Sequence, residues 1–90
     1  MPVSSETIQL STSTIDLYPN PCYSCRSFFV RNLPEDNQYT YDIFSSMSTL
    51  ITSGKIEGNQ IMLSTNLPAG IYFVVIHGDG FSAVRRIVVF

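Results

Sequence analysis

An all-β sandwich of seven short antiparallel strands is the fold this sequence predicts. Three observations predict it. Short apolar runs recur along the chain, separated by Gly, Pro, Asn, Asp and Ser, at roughly the 8–12-residue spacing of sandwich strands. Two proline turns, Tyr18-Pro19-Asn20-Pro21 and Leu67-Pro68-Ala69-Gly70, each join one run to the next. Nowhere do apolar residues recur with a helical period across a helix-length window.

The runs follow in order. Residues 1–14 are mostly Ser, Thr and small residues and read as a linker, with a short strand over 7–10. Residues 15–18 form the first strand of a single domain, 15–90. It ends at Pro19 and Pro21, which remove two ladder donors, while Asn20 suits a turn. The second strand spans 27–32, where Phe28 and Val30 alternate with Phe29 and Arg31. The period is clear, but which pair faces the core stays open. The third spans 39–44, with Tyr39, Tyr41 and Ile43 on one face, and a polar turn follows at 45–48. The fourth spans 50–53 and stops at a Gly54-Lys55 turn. Ile61 and Leu63 share a face of the fifth, which leads into Pro68-Ala69-Gly70.

Pro68 fixes its own φ and Gly70 can take the positive φ that reverses the chain. Residues 71–76 then place apolar side chains at odd and even positions alike, which predicts a strand buried on both faces. Gly78-Asp79-Gly80 predicts a hairpin to the last strand, 82–89. In that strand Val84, Arg86 and Val88 face one way, and Arg85, Ile87 and Val89 the other. One arginine per face predicts a strand at an edge, where long side chains reach water.

Composition narrows the function classes. Ninety residues can bury only a thin core. Charged residues make up 13% of the chain, against about 25% in typical domains. The net charge of −2 offers no electrostatic footprint for nucleic acid or an anionic membrane. No segment approaches the roughly 20 apolar residues of a membrane-spanning helix, so no stable membrane insertion is expected. The N-terminus lacks the regions of a signal peptide, which suggests a piece from the end of a longer exported protein.

Candidate chemistry is sparse. Cys22 and Cys25 form a Cys-x-x-Cys, but they follow a proline turn and precede a strand, so no helix N-terminus is at hand to lower a thiol pKa. Two loop cysteines, free or locally bridged, are favoured over redox or metal chemistry. His77 is the one remaining zinc ligand candidate, and a zinc site takes four as a rule. His77 itself reads as a solvated rim residue, since no nucleophile elbow accompanies it. The acids fall in separate turns and strands without the Asp-x-Asp spacing of a calcium loop. No catalytic residue, metal or cofactor is therefore expected. Arg85-Arg86 reads either as two solvated heads or as a recognition patch at the chain's end.

The proline turns and the basic, apolar C-terminus together carry a resemblance. Residues 15–90 resemble the C-terminal sorting domain of the type IX (Por) secretion system of Bacteroidetes. The motif residues are Tyr18, Pro19, Asn20 and Pro21 at the start, and Leu67, Pro68, Gly70 and Tyr72 later. Arg85, Arg86, Ile87, Val88, Val89 and Phe90 match the family's terminal strand. Two departures stand out: Ser45 and Ser48 occupy a turn where the family commonly has Asp and Gly, and arginines replace frequent terminal lysines.

The resemblance implies a seven-stranded, immunoglobulin-like sandwich without enzymatic activity, following an attached N-terminal cargo. It implies carriage through the periplasm, recognition by an outer-membrane translocon, cleavage by a sortase-like peptidase near the linker, and final residence at the cell surface or outside the cell. The strand ending at Phe90 would then be a docking edge with unpaired backbone groups. The same edge leaves a dimer open. Rival readings are an adhesive or carbohydrate-binding immunoglobulin-like module of a cell-surface protein, and an accessory domain that stabilises a neighbouring hydrolase.

Overall fold

The computed structural model describes residues 15–34 and 38–90; the segment at 7–10, expected as a strand, lies outside them. Seven strands and no helix are present among the described residues. They are β1 (Asp16–Tyr18), β2 (Ser27–Arg31), β3 (Tyr39–Ser45), β4 (Leu50–Ile56), β5 (Gln60–Met62), β6 (Gly70–Gly78) and β7 (Phe81–Val89). One sheet has the order β1-β2-β5 and the other β4-β3-β6-β7, with every ladder antiparallel. The two sheets enclose one core, in keeping with an immunoglobulin-like sandwich.

Alternation decides which side chains enter that core. Phe28 and Val30 of β2 point inward, and Phe29 and Arg31 outward, which settles the face left open by the sequence. Tyr39, Tyr41 and Ile43 are buried from β3, and Ile61 and Leu63 from β5 and the residues after it. Tyr72, Val74 and Ile76 of β6 and Ala83, Ile87 and Val89 of β7 are buried beside the β3 residues in the same sheet, facing those of β2 and β5. Full burial of one such side chain stabilises the fold by about 1.5–3 kcal/mol. No polar side chain is fully buried among the described residues.

Two expectations are corrected. The fourth strand does not stop at Gly54-Lys55 but continues to Ile56. Gly54 lies opposite Tyr41 in the ladder, and a Cβ there would stand 2.8 Å from the Tyr41 hydroxyl and 3.0 Å from its ring. The glycine thus marks a close cross-strand approach of an aromatic ring, not a turn. The reversal falls at Gly58 and Asn59, with φ of 61° and 59°, the left-handed pair that a two-residue hairpin requires. The second correction concerns β6, which is buried on one face only. Ile71 and Phe73 are exposed while Tyr72, Val74 and Ile76 are buried. Seven strands build two layers, so no strand or helix among the described residues covers the outer face of either sheet.

The remaining turns follow the sequence. Ser45 Oγ accepts the amides of Met47 and Thr49, each at 3.2 Å, and the Ser48 amide donates to the Ser45 carbonyl at 2.9 Å. Gly78 pairs with Phe81 around Asp79-Gly80, with Gly80 at φ 86°.

Candidate functional site

The two ends of the domain meet. β7 is an edge strand of the four-stranded sheet, as the arginine on each of its faces suggests. Its free edge, however, is occupied along its last residues by the segment after β1. The Asn20 side chain acts there as a short stand-in for a strand. Its Nδ2 donates to the Arg86 carbonyl at 2.9 Å, and its Oδ1 accepts the Val88 amide at 3.0 Å. Cys22 continues the ladder in parallel with Val89: its amide donates to the Val88 carbonyl at 2.8 Å, and its carbonyl accepts the Phe90 amide at 2.9 Å. The Ser24 amide then donates to the Phe90 carbonyl at 3.3 Å. The edge from Arg86 to Phe90 therefore does not offer the unpaired backbone groups expected for strand addition. Asx side chains pair readily with main chain, and here the partner lies far along the sequence.

The Tyr-Pro-Asn-Pro turn presents Asn20 to that edge. Both of its prolyl bonds, Tyr18-Pro19 and Asn20-Pro21, are cis. Tyr18 turns outward, stacking on Phe29 with ring centroids 5.4 Å apart, and the Arg31 guanidinium lies 4.5 Å from its ring centre. Cys22 and Cys25 are joined by a disulfide and both are buried. The Cys25 carbonyl accepts the Leu67 amide at 2.8 Å, so the bridge ties the segment on β7 to the loop before β6. The sequence left the cysteines free or bridged; their burial in the core cluster goes with a structural bridge.

The second motif is also explained by main-chain bonding. The Tyr72 hydroxyl donates to the Pro68 carbonyl at 2.6 Å, while Leu67 enters the core. Tyr39 repeats the device, donating to the Pro34 carbonyl at 2.7 Å. Both resemble the tyrosine corner of immunoglobulin-like sandwiches, in which a buried ring stays in the core and its hydroxyl fixes a nearby turn. Gly70 opens β6 with a positive φ of 156°.

The terminal residues divide by face. Ile87 and Val89 belong to the core, while Val88 is half-buried on the outer face and Phe90 is exposed beside the Tyr23 ring, 5.3 Å away. The two arginines differ. Arg85 turns toward the sandwich rim, where its Nε donates to the Ile15 carbonyl at 2.6 Å and its Nη1 to the Val84 carbonyl at 2.7 Å. Arg86 is exposed on the outer face, across the ladder from Phe73. Phe44, Ile71, Phe73 and Val84 share that face with Arg86; the sequence reading placed Val84 with Arg86 but did not single out the other three. The signal was present as apolar residues at both parities of β6.

One ionisable pair joins neighbouring strands of the four-stranded sheet. His77 Nε2 lies 2.8 Å from Asp42 Oδ2, and hydrogen bonds with Ser53 and His77 hold the Asp42 carboxyl below the usual aspartate range. No group of His, Cys, Asp or Glu among the described residues could hold a metal ion. Among the described residues no helix is long and apolar enough to cross a membrane.

Comparison with curated proteins finds no match. The sequence pattern of the family described as "Secretion system C-terminal sorting domain" matches residues 16–90, from the first residue of β1 to the last of the chain. With both motifs and the closing strand inside that match, the chain belongs to the type IX secretion C-terminal sorting domain family.

Proposed function

We propose that the domain is a non-catalytic address label, which directs an attached N-terminal cargo through the type IX outer-membrane translocon for attachment at the cell surface or release. Membership of the family implies interaction with the type IX machinery and an attached cargo, and export to the cell surface or extracellular space. The match across residues 16–90 carries the reading. In this reading the cargo crosses the periplasm with the label attached, and a sortase-like peptidase cuts within residues 1–14, ahead of the folded sandwich. A folded label suits unrelated cargoes, because the machinery then reads a surface and not the cargo's own sequence.

Deletion of residues 15–90 from the full protein tests the assignment without asking whether a damaged label still folds. The cargo is expected to accumulate in the periplasm in folded form, measured by cell fractionation and protease accessibility. Cargo that reaches the surface as before would overturn the assignment.

A further inference from the structure

Part of the outer face of the four-stranded sheet is apolar where a solvated face would be polar. Antiparallel sheets with one face in water usually alternate apolar and polar side chains. Here the cross-strand pairs Phe44–Phe73, Val75–Val84 and Ile71–Val88 adjoin one another, with Arg86 opposite Phe73. Ile71, Phe73 and Val84 are 44%, 37% and 53% exposed, so the neighbouring strands do not cover them. A contiguous apolar patch of this kind marks a contact surface more often than chance exposure does.

Charge narrows what fits. The Arg86 guanidinium has no partner among the described residues. The acid on the same face, Asp42, is already engaged by His77 and Ser53. The free charge within the patch is therefore positive. Because Asn20, Cys22 and Ser24 occupy the main chain from Arg86 to Phe90, a partner cannot read that stretch by adding a strand. It has to read side chains.

We propose that this face, with Phe73, Ile71, Val84 and Val88 around Arg86, docks onto an apolar surface of the export machinery that presents an Asp or Glu carboxylate to Arg86. The proposal rests on the sorting function. Burying the guanidinium against an apolar partner requires an opposite charge; a guanidinium pairs with carboxylate or phosphate in a two-pronged geometry, and on a protein surface Asp or Glu supplies it. Loss of one member of such a pair is felt strongly, since the other is left buried and unpaired.

The test places residues 1–90 at the C-terminus of a periplasmic reporter in a type IX-competent host. Surface reporter is compared for wild type, Arg86→Lys, Arg86→Gln, Arg86→Glu and Val84→Ser, with Arg31→Gln as a control on the other sheet. Thermal melts of the purified domains confirm that each variant folds, as expected for exposed positions. The expected order is near-wild-type display for Arg31→Gln, a loss of within about threefold for Arg86→Lys and Val84→Ser, about tenfold for Arg86→Gln, and more for Arg86→Glu. Arg86→Gln and Arg86→Glu displayed like wild type would overturn the docking face while leaving the sorting function intact. A wild-type dimer in sedimentation that Arg86→Glu dissociates would also overturn it, by making a second copy the occupant. Wild-type reporter that never reaches the surface would overturn the sorting function, and the docking face with it.

Discussion

Replacing Ile87 by aspartate is expected to leave the domain unfolded at neutral pH. Ile87 is 0% exposed, and no buried polar side chain among the described residues could pair with a carboxylate there. An unpaired buried charge costs at least several kcal/mol, on the order of the entire stability of a small domain. Circular dichroism and urea titration of the purified domain would show this as loss of the cooperative transition. A wild-type urea midpoint would mean that Ile87 does not face the core. The result also bears on how terminal truncations are read. Removing the last residues deletes Ile87 and Val89 from the core along with Arg86 and Phe90 from the surface. Loss of export after such a truncation would reflect unfolding as much as lost recognition.

The double substitution Cys22→Ser and Cys25→Ser is expected to cost about 2 kcal/mol, even though the bridge spans a sequence separation of only 3. The chain-entropy argument gives this figure for so short a loop, and for a domain of this size it lowers Tm by on the order of 10 °C. Denaturant titration measures the stability, and hydrogen exchange measures where it is lost. Faster exchange is expected first at the Phe90 amide, which bonds to the Cys22 carbonyl. Unchanged stability and unchanged exchange at Phe90 would show that the segment holds the edge of β7 without the bridge.

Local chemistry made most of the strands legible. The period of two at Phe28 and Val30, the serine turn after β3 and the Asp79-Gly80 hairpin each depend on neighbours in sequence, and each stands as read. What sequence did not carry were facts about neighbours in space. Gly54 reads as a turn until Tyr41 is seen to lie across the ladder from it. The strand at 71–76 reads as buried on both faces until the number of layers is known.

The candidate site shows the same divide. Tyr18, Pro19, Asn20 and Pro21 are recognisable as a motif, but nothing local reveals that Asn20 bonds to Arg86 and Val88 some 66 and 68 residues later. Six terminal residues read alike as a recognition strand. Only the ladder separates Ile87 and Val89, which hold the sheets together, from Arg86, Val88 and Phe90, which a partner can touch.

That arrangement couples the two ends of the label. The first motif closes the edge of the last strand, the second fixes the loop that enters β6, and the disulfide joins the two regions. The consequence is a terminal strand whose backbone from Arg86 to Phe90 is largely hydrogen-bonded and whose outer side-chain face is exposed. A partner that met this domain folded would encounter that face and the Phe90 end, and not a free main-chain edge from Arg86 to Phe90.

Sufficiency tests the account most directly. Residues 1–90 fused behind a periplasmic reporter, expressed in a type IX-competent Bacteroidetes host and in its translocon-null counterpart, would be quantified for reporter accessible at the cell surface. Surface reporter is expected in the competent strain and is expected to disappear in the null strain. Folded, stable reporter held in the periplasm of both strains would contradict the sorting assignment and favour an adhesive module in its place.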